Sequence, residues 1–172
     1  MAGLIHLYCG DGKGKTSAAV GLAVRASGAG KQVVFTQFFK DGSSSEIESL
    51  KRLPGIRTIH ADTVKGFYRA MTPEQRARAR EDYTALFLQV TAASEKADLL
   101  ILDEIVSACN RGVVPEALVT DFLRSKPSGL EVVLTGRNPA PALLELADYI
   151  TEMRKQRHPF DRGIPARKGI EF

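Results

Sequence analysis

Eight residues, Cys9-Gly10-Asp11-Gly12-Lys13-Gly14-Lys15-Thr16, stand between an apolar run from Leu4 to Tyr8 and a helix-like run that begins Ser17-Ala18-Ala19-Val20. Strand, glycine-rich turn and helix in that order read as a phosphate-binding loop. The residue types match the physics of such a loop. Glycines let backbone N–H groups turn toward phosphate oxygens, Lys15 supplies a point charge, and the Thr16 hydroxyl suits a magnesium ion. Gly10, Asp11, Gly12, Lys13, Gly14, Lys15, Thr16 and Ser17 are therefore candidate nucleotide contacts. The usual spacing is G-x-x-x-x-G-K-[ST], and counting back from Gly14 places Cys9 where the first glycine belongs. The loop is a variant whose nearest glycine comes one residue late.

At 172 residues the chain fits one domain, residues 1–172, with a sizeable core. Apolar residues make up 44% and charged residues 26%, and no apolar run approaches a membrane span. The N-terminus lacks the basic segment and long apolar core of a signal peptide, so the expected location is cytoplasmic and no membrane partner is expected. Two cysteines, Cys9 and Cys109, are too few for a disulfide framework or a zinc site. The net charge is +4, with Arg154, Lys155, Arg157, Arg162, Arg167 and Lys168 crowded near the end. An anionic partner fits that cluster as well as a solvated surface does, but aromatic residues are few and no RNA-binding signature accompanies it, so nucleic acid is not the favoured partner.

Apolar runs alternate with helical patterns throughout. Strands are expected at Leu4 to Tyr8, Gln32 to Phe38, Ile56 to His60, Leu99 to Leu102, Glu131 to Thr135 and Tyr149 to Met153. Most are short, continuous and rich in Val, Ile and Leu, as in a parallel sheet covered on both faces. Ser45 with Glu48, and Thr72 with Gln75 and Pro73, read as capping boxes. The fold class is α/β, a three-layer sandwich around a mostly parallel sheet, with the ligand crevice at the carboxyl ends of the strands. Residues from Ala61 to Met71, polar and basic with the aromatic pair Phe67-Tyr68, read as a loop over that crevice. The stretch from Pro159 to Phe172 is expected to be irregular and to wrap the surface.

A second half-site comes from Asp98-Leu99-Leu100-Ile101-Leu102-Asp103-Glu104, an apolar strand that ends in two carboxylates. Opposite a phosphate loop, such a carboxylate can hold a magnesium ion or its water, which makes Asp103 and Glu104 candidate metal residues beside Thr16. Arg25, on the first helix, and Arg137, after Thr135-Gly136, are candidates for phosphate as well as for surface packing. His6 and His60 share no metal-like spacing and are read as structural. Cys9 is read as a small core residue.

These residues resemble the P-loop ATP:corrinoid adenosyltransferases of the cobalamin pathway. The resemblance rests on Gly10 to Thr16 followed by an arginine nine positions later, on Gln37-Phe38-Phe39-Lys40, on Leu102-Asp103-Glu104 and on Leu134-Thr135-Gly136-Arg137. It rests also on Glu145-Leu146-Ala147-Asp148 and His158-Pro159-Phe160-Asp161-Arg162-Gly163. In that family the shortened loop is ordinary. The resemblance implies a RecA-like P-loop NTPase fold and the transfer of the 5′-deoxyadenosyl group of ATP to cob(I)alamin or another Co(I) corrinoid, in adenosylcobalamin biosynthesis or salvage. It implies Mg2+ or Mn2+, catalytic roles for Lys15 and Arg25, corrinoid contacts at Phe67 and Tyr68, a homodimer, and a flavodoxin-type or other reductant protein as partner. Rival readings of the same residues are a P-loop kinase or ATPase, and a nucleotide-dependent module associated with nucleic acid.

Overall fold

In the sequence Leu99-Leu100-Ile101-Leu102 both faces of the pleat are apolar, so this segment is stable only between two covering layers. The computed structural model describes residues 2–40, 42–61 and 71–171 and supplies both layers. Strands β1 (Ile5–Cys9), β2 (Val33–Gln37), β3 (Ile56–Ile59), β4 (Leu99–Asp103), β5 (Glu131–Thr135) and β6 (Tyr149–Glu152) form one sheet in the order β3-β2-β4-β5-β1-β6. Every pairing is parallel. Helices α1 (Lys15–Gly28), α2 (Ser45–Leu50), α3 (Pro73–Ala93), α4 (Ile105–Asn110), α5 (Glu116–Ser125) and α6 (Pro141–Leu146) make the connections.

The alternation of side chains along each strand divides the core in two. Val33, Phe35, Leu99, Ile101 and Val133 meet Ala19, Ala23 and Ala26 of α1 and Ile47 and Leu50 of α2. Leu7, Val34, Leu100, Leu102, Val132 and Leu134 face the other way, onto Tyr83, Phe87 and Val90 of α3, Val119 and Leu123 of α5 and Leu143 of α6. The expected three-layer α/β sandwich is thus observed. Its strand β5 lies between the loop-bearing β1 and the carboxylate-bearing β4, so the two halves of the site meet across one strand.

Some local expectations need correction. Thr72 caps α3 as a full capping box, with Gln75 N–H donating to Thr72 Oγ1 and Thr72 N–H donating to Gln75 Oε1, and Pro73 opens the helix. The box expected at Ser45 is not formed. Ser44 takes the N-cap position of α2 without a side-chain cap, and Glu48 instead accepts from Lys51 at 2.9 Å. Ser45 lost the position because the extended backbone that a cap requires falls one residue earlier. Strand β6 is exposed on both faces, with Tyr149 and Ile150 each 51% exposed, because it forms the sheet edge. The segment after Pro159 is not wholly irregular: Pro159–Arg162 forms a 3-10 turn, which His158 starts by accepting from Phe160 N–H at 3.2 Å. Phe67 and Tyr68, and most of the loop expected at 61–71, lie outside the described residues.

Leu100 is fully buried on the face covered by the later helices. Its replacement by alanine is expected to cost about 2–5 kcal/mol of stability in urea unfolding; a loss below about 1 kcal/mol would contradict the double-covered sheet.

Candidate functional site

The site begins where β1 ends. The strand continues through Cys9, which is buried, and the turn starts only at Gly10. This explains the late first glycine: the residue at the usual glycine position is still strand. Gly10 has φ 98°, and a Cβ there would lie 2.4 Å from the carbonyl oxygen of Met153. Gly12 donates its N–H to the same oxygen at 2.6 Å. Any side chain at Gly10 would therefore push the turn off the end of β6.

Helix α1 opens at Gly14, φ 121°, with no side-chain cap and no acidic residue in its first turn. Its first N–H groups therefore have no side-chain cap and lie at the positive end of the helix dipole, an arrangement suited to an anion. Lys15 is 7% exposed, and its ammonium donates to the carbonyls of Gly10 at 2.8 Å and Gly12 at 2.7 Å. Burial first, and the nearby Arg137 charge second, hold the Lys15 pKa below its ordinary value. Positive charge is thus concentrated inside the turn, where a phosphate would relieve it.

Across β5, Asp103 is wholly buried. Four groups surround its carboxylate. Thr16 Oγ1 donates to Oδ1 at 3.0 Å and lies 3.2 Å from Oδ2, Thr135 Oγ1 donates to Oδ1 at 2.7 Å, and Gln37 Nε2 donates to Oδ2 at 3.1 Å. The Lys40 ammonium stands 3.9 Å from Oδ2. Burial pushes the Asp103 carboxyl up, and the Lys40 charge with the Thr135 and Gln37 hydrogen bonds opposes that. Glu104 turns away from it. It adopts a left-handed backbone, φ 63°, donates its N–H to Thr135 Oγ1 at 2.8 Å and accepts from the Ser107 hydroxyl. Phe39, Glu104 and Asn138, the non-glycine residues with positive φ among those described, all follow carboxyl ends of strands. Backbone strain gathered on that rim is a mark of a working site.

A cavity of about 300 Å³ lies over the turn, bounded by residues 11–17 with Lys40, Glu104, Arg137, His158, Ile170 and Glu171. It brings together Asp11, Gly12, Lys13, Gly14, Lys15, Thr16, Ser17, Glu104 and Arg137 of the expected set. Asp103 supports it from beneath through Thr16. Asp11 is occupied elsewhere, accepting from the Lys155 backbone N–H at 2.9 Å. The structure does not bring Arg25 to this cavity. It is exposed in the last turn of α1, about 13 Å of helix beyond Thr16. Its charge acts on Tyr8, where burial raises the hydroxyl pKa and Arg25 lowers it. Sequence reasoning gave no role to Gln37, Lys40, Glu46, Thr135, His158, Ile170 or Glu171. The Gln37 to Lys40 segment was visible as a family feature, but nothing local shows that Gln37 Nε2 bridges Asp103 and Glu46, the latter at 2.8 Å.

The family model described as ATP:corrinoid adenosyltransferase BtuR/CobO/CobP matches residues 1–172. The chain belongs to that family. It is 33% identical to a corrinoid adenosyltransferase of Pseudomonas aeruginosa, over 99% of this chain and 84% of the relative. It is 33% identical to one of Escherichia coli K12, over 99% and 86%, and 35% identical to one of a Sinorhizobium species, over 99% and 80%. Among solved structures, the KaiC-like protein PH0186 from Pyrococcus horikoshii is similar at a TM-score of 0.54 and 17% identity, covering 91% of this chain and 75% of that one. ATPases 2 and 3 of EssC from Geobacillus thermodenitrificans give a TM-score of 0.54 at 18% identity, over 97% and 35%. These distant likenesses bear on the fold alone and agree with the P-loop architecture.

Within this adenosyltransferase family member the remaining expected residues behave as structural parts. His6 stacks on Tyr149 at 4.5 Å and lies 2.6 Å from Glu131 Oε1. Much of the basic end is paired internally: Arg154 with Glu152, Lys155 with Asp161 and Arg167 with Glu171. Burial raises the thiol pKa of Cys9, and that of Cys109 to about 12.

Two outcomes are expected. Lys15→Ala should lower turnover on the order of a hundredfold or more while leaving the circular-dichroism spectrum and unfolding midpoint near wild type, since the ammonium serves the turn and its ligand rather than the core; near wild-type turnover would remove the loop from the site. Both thiols should react slowly with an alkylating reagent at pH 8 in the native state and rapidly after unfolding, because burial raises both thiol pKa values in the folded protein. Fast native labelling of Cys109 would contradict its raised pKa.

Proposed function

We propose that the chain transfers the 5′-deoxyadenosyl group of ATP to a Co(I) corrinoid. The electron pair of Co(I) attacks C5′ of the ribose, a cobalt–carbon bond forms, and the C5′–O bond breaks with its pair leaving on inorganic triphosphate. The family match over residues 1–172 carries this reading. The site is compatible with it because cationic groups border one cavity in which a polyphosphate would be neutralised. The N–H groups of α1, Lys13, Lys15 and Arg137 border one cavity, placed to neutralise charge that grows on the departing triphosphate. Co(I) is already a strong nucleophile, so the protein has to orient C5′ and exclude water, and needs no general base.

A divalent cation fits the residues present. The buried Asp103 carboxylate beside the Thr16 hydroxyl offers hard oxygen donors, and a desolvated anion favours a cation nearby. Such a cation would be Mg2+ or Mn2+, which take oxygen donors of this kind. Thr16 would hold the ion, with Asp103 orienting it directly or through water and Glu104 at the cavity wall. When bound, the ion supplies charge neutralisation at the triphosphate. The further parts of the proposal are a single catalytic domain acting as a homodimer in the cytoplasm, with Co(I) supplied by a flavodoxin-type or other reductant protein. Among the described residues no helix is long and apolar enough to cross a membrane.

Anaerobic mixing with ATP, magnesium and chemically reduced corrinoid should convert the Co(I) absorbance into that of a light-sensitive adenosylated corrinoid, with one inorganic triphosphate released per corrinoid consumed. ADP as the main product, formed whether or not corrinoid is added, would show attack at the terminal phosphorus and overturn the proposal.

A further inference from the structure

Lys13 and Glu171 are 158 positions apart, yet the Lys13 ammonium donates to Glu171 Oε1 at 3.0 Å. Lys13 belongs to the glycine turn and borders the cavity where phosphate is read to bind. A carboxylate therefore already occupies one of the cations that a ligand phosphate would seek. The contact is well built. Arg167, four residues earlier, donates its backbone N–H to Oε2 at 2.8 Å, its Nε to Oε2 at 3.2 Å and an Nη2 hydrogen to Oε1 at 3.1 Å. The Glu171 side chain is only 20% exposed. These hydrogen bonds from Arg167 and Lys13 hold its carboxyl well below the usual carboxylate range, at about 2.

The position of the segment gives this contact a consequence. Ile170 and Glu171 line the loop cavity and also a neighbouring space of about 490 Å³ on the α2 side, so they stand between the two. The beginning of the same terminal stretch is fastened to the turn where Lys155 N–H meets Asp11. One anion and one ammonium make a neutral pair; a triphosphate arriving there meets both the lost cation and the repulsion of the carboxylate.

We propose that Glu171 is a resident anion of the phosphate site, one that an entering triphosphate displaces from Lys13 and that returns to Lys13 as triphosphate leaves. Glu171 thereby sets how tightly polyphosphate is held. Arg167 keeps the displaced carboxylate close, which makes the exchange reversible rather than an unfolding of the segment. This rests on the reading of the turn as a phosphate site.

The test is calorimetric binding of inorganic triphosphate, at fixed ionic strength, to the full chain and to Glu171→Gln, Lys13→Met and the double variant. Glutamine keeps the size of the side chain and removes its charge. Glu171→Gln should bind triphosphate about twofold to fivefold more tightly, the range expected for releasing one partly exposed ion pair. Lys13→Met should bind more weakly, and the gain from Glu171→Gln should largely vanish in its background. Unchanged or weaker binding by Glu171→Gln overturns the proposal and makes the pair a strut; an equal gain without Lys13 overturns it too. If the unaltered chain binds no triphosphate, the phosphate-site reading falls, and this proposal with it.

Discussion

The contact between Thr16 and Asp103 is the constraint on which the rest of the site depends. It joins the first turn of α1 to the end of β4, two segments separated by β5 in the sheet and 87 positions in the chain. A carboxylate buried this completely costs free energy unless its lone pairs are used. Thr16, Thr135 and Gln37 use them, and each comes from a different element: α1, β5 and β2. The polar knot can close only when the parallel sheet is in register, where Gln37 stands beside Asp103. Sheet order, register and site geometry are in this sense one fact.

The rim above the knot shows how the fold turns that fact into a crevice. Three strand ends break into left-handed or glycine conformations, at Phe39, Glu104 and Gly136 with Asn138, and so direct side chains upward at the carboxyl edge instead of continuing the pleat. Gly136, φ 147°, is pressed so near Val106 that a Cβ would lie 2.6 Å from that side chain. The close approach lets α4 start directly beneath the site. Phe39 rests against Tyr83 at 5.2 Å and under Arg111 at 4.5 Å, which anchors the turn that presents Lys40.

Much of this was legible in the chain because it is local. The glycine turn, the strand-ending Asp103-Glu104 and the two-faced apolar strands announce themselves by residue type and spacing. Other parts were not, because they depend on partners far away in sequence. Asp103 and Glu104 are neighbours with similar chemistry, but only the fold shows one buried against Thr16 and the other turned to Ser107. Arg25 was attractive by its distance from the turn, yet the rise of a helix carries it along α1 away from the cavity over that turn. The Ser45 box failed for a still more local reason, a shift of one residue in where the backbone becomes helical. Glu171 carried no local signal at all.

If Thr16 and Asp103 form one cation-holding unit, their contributions to metal affinity cannot be independent. The direct measurement is Mn2+ affinity in the presence of ATP, followed by electron paramagnetic resonance of free Mn2+, for the unaltered chain, Thr16→Val, Asp103→Asn and the double variant. Each single change should weaken Mn2+ binding by about tenfold to a hundredfold, and the double should lose little more than the worse single. Losses that multiply in the double variant, or an Asp103→Asn chain that binds Mn2+ as the original does, would contradict the account.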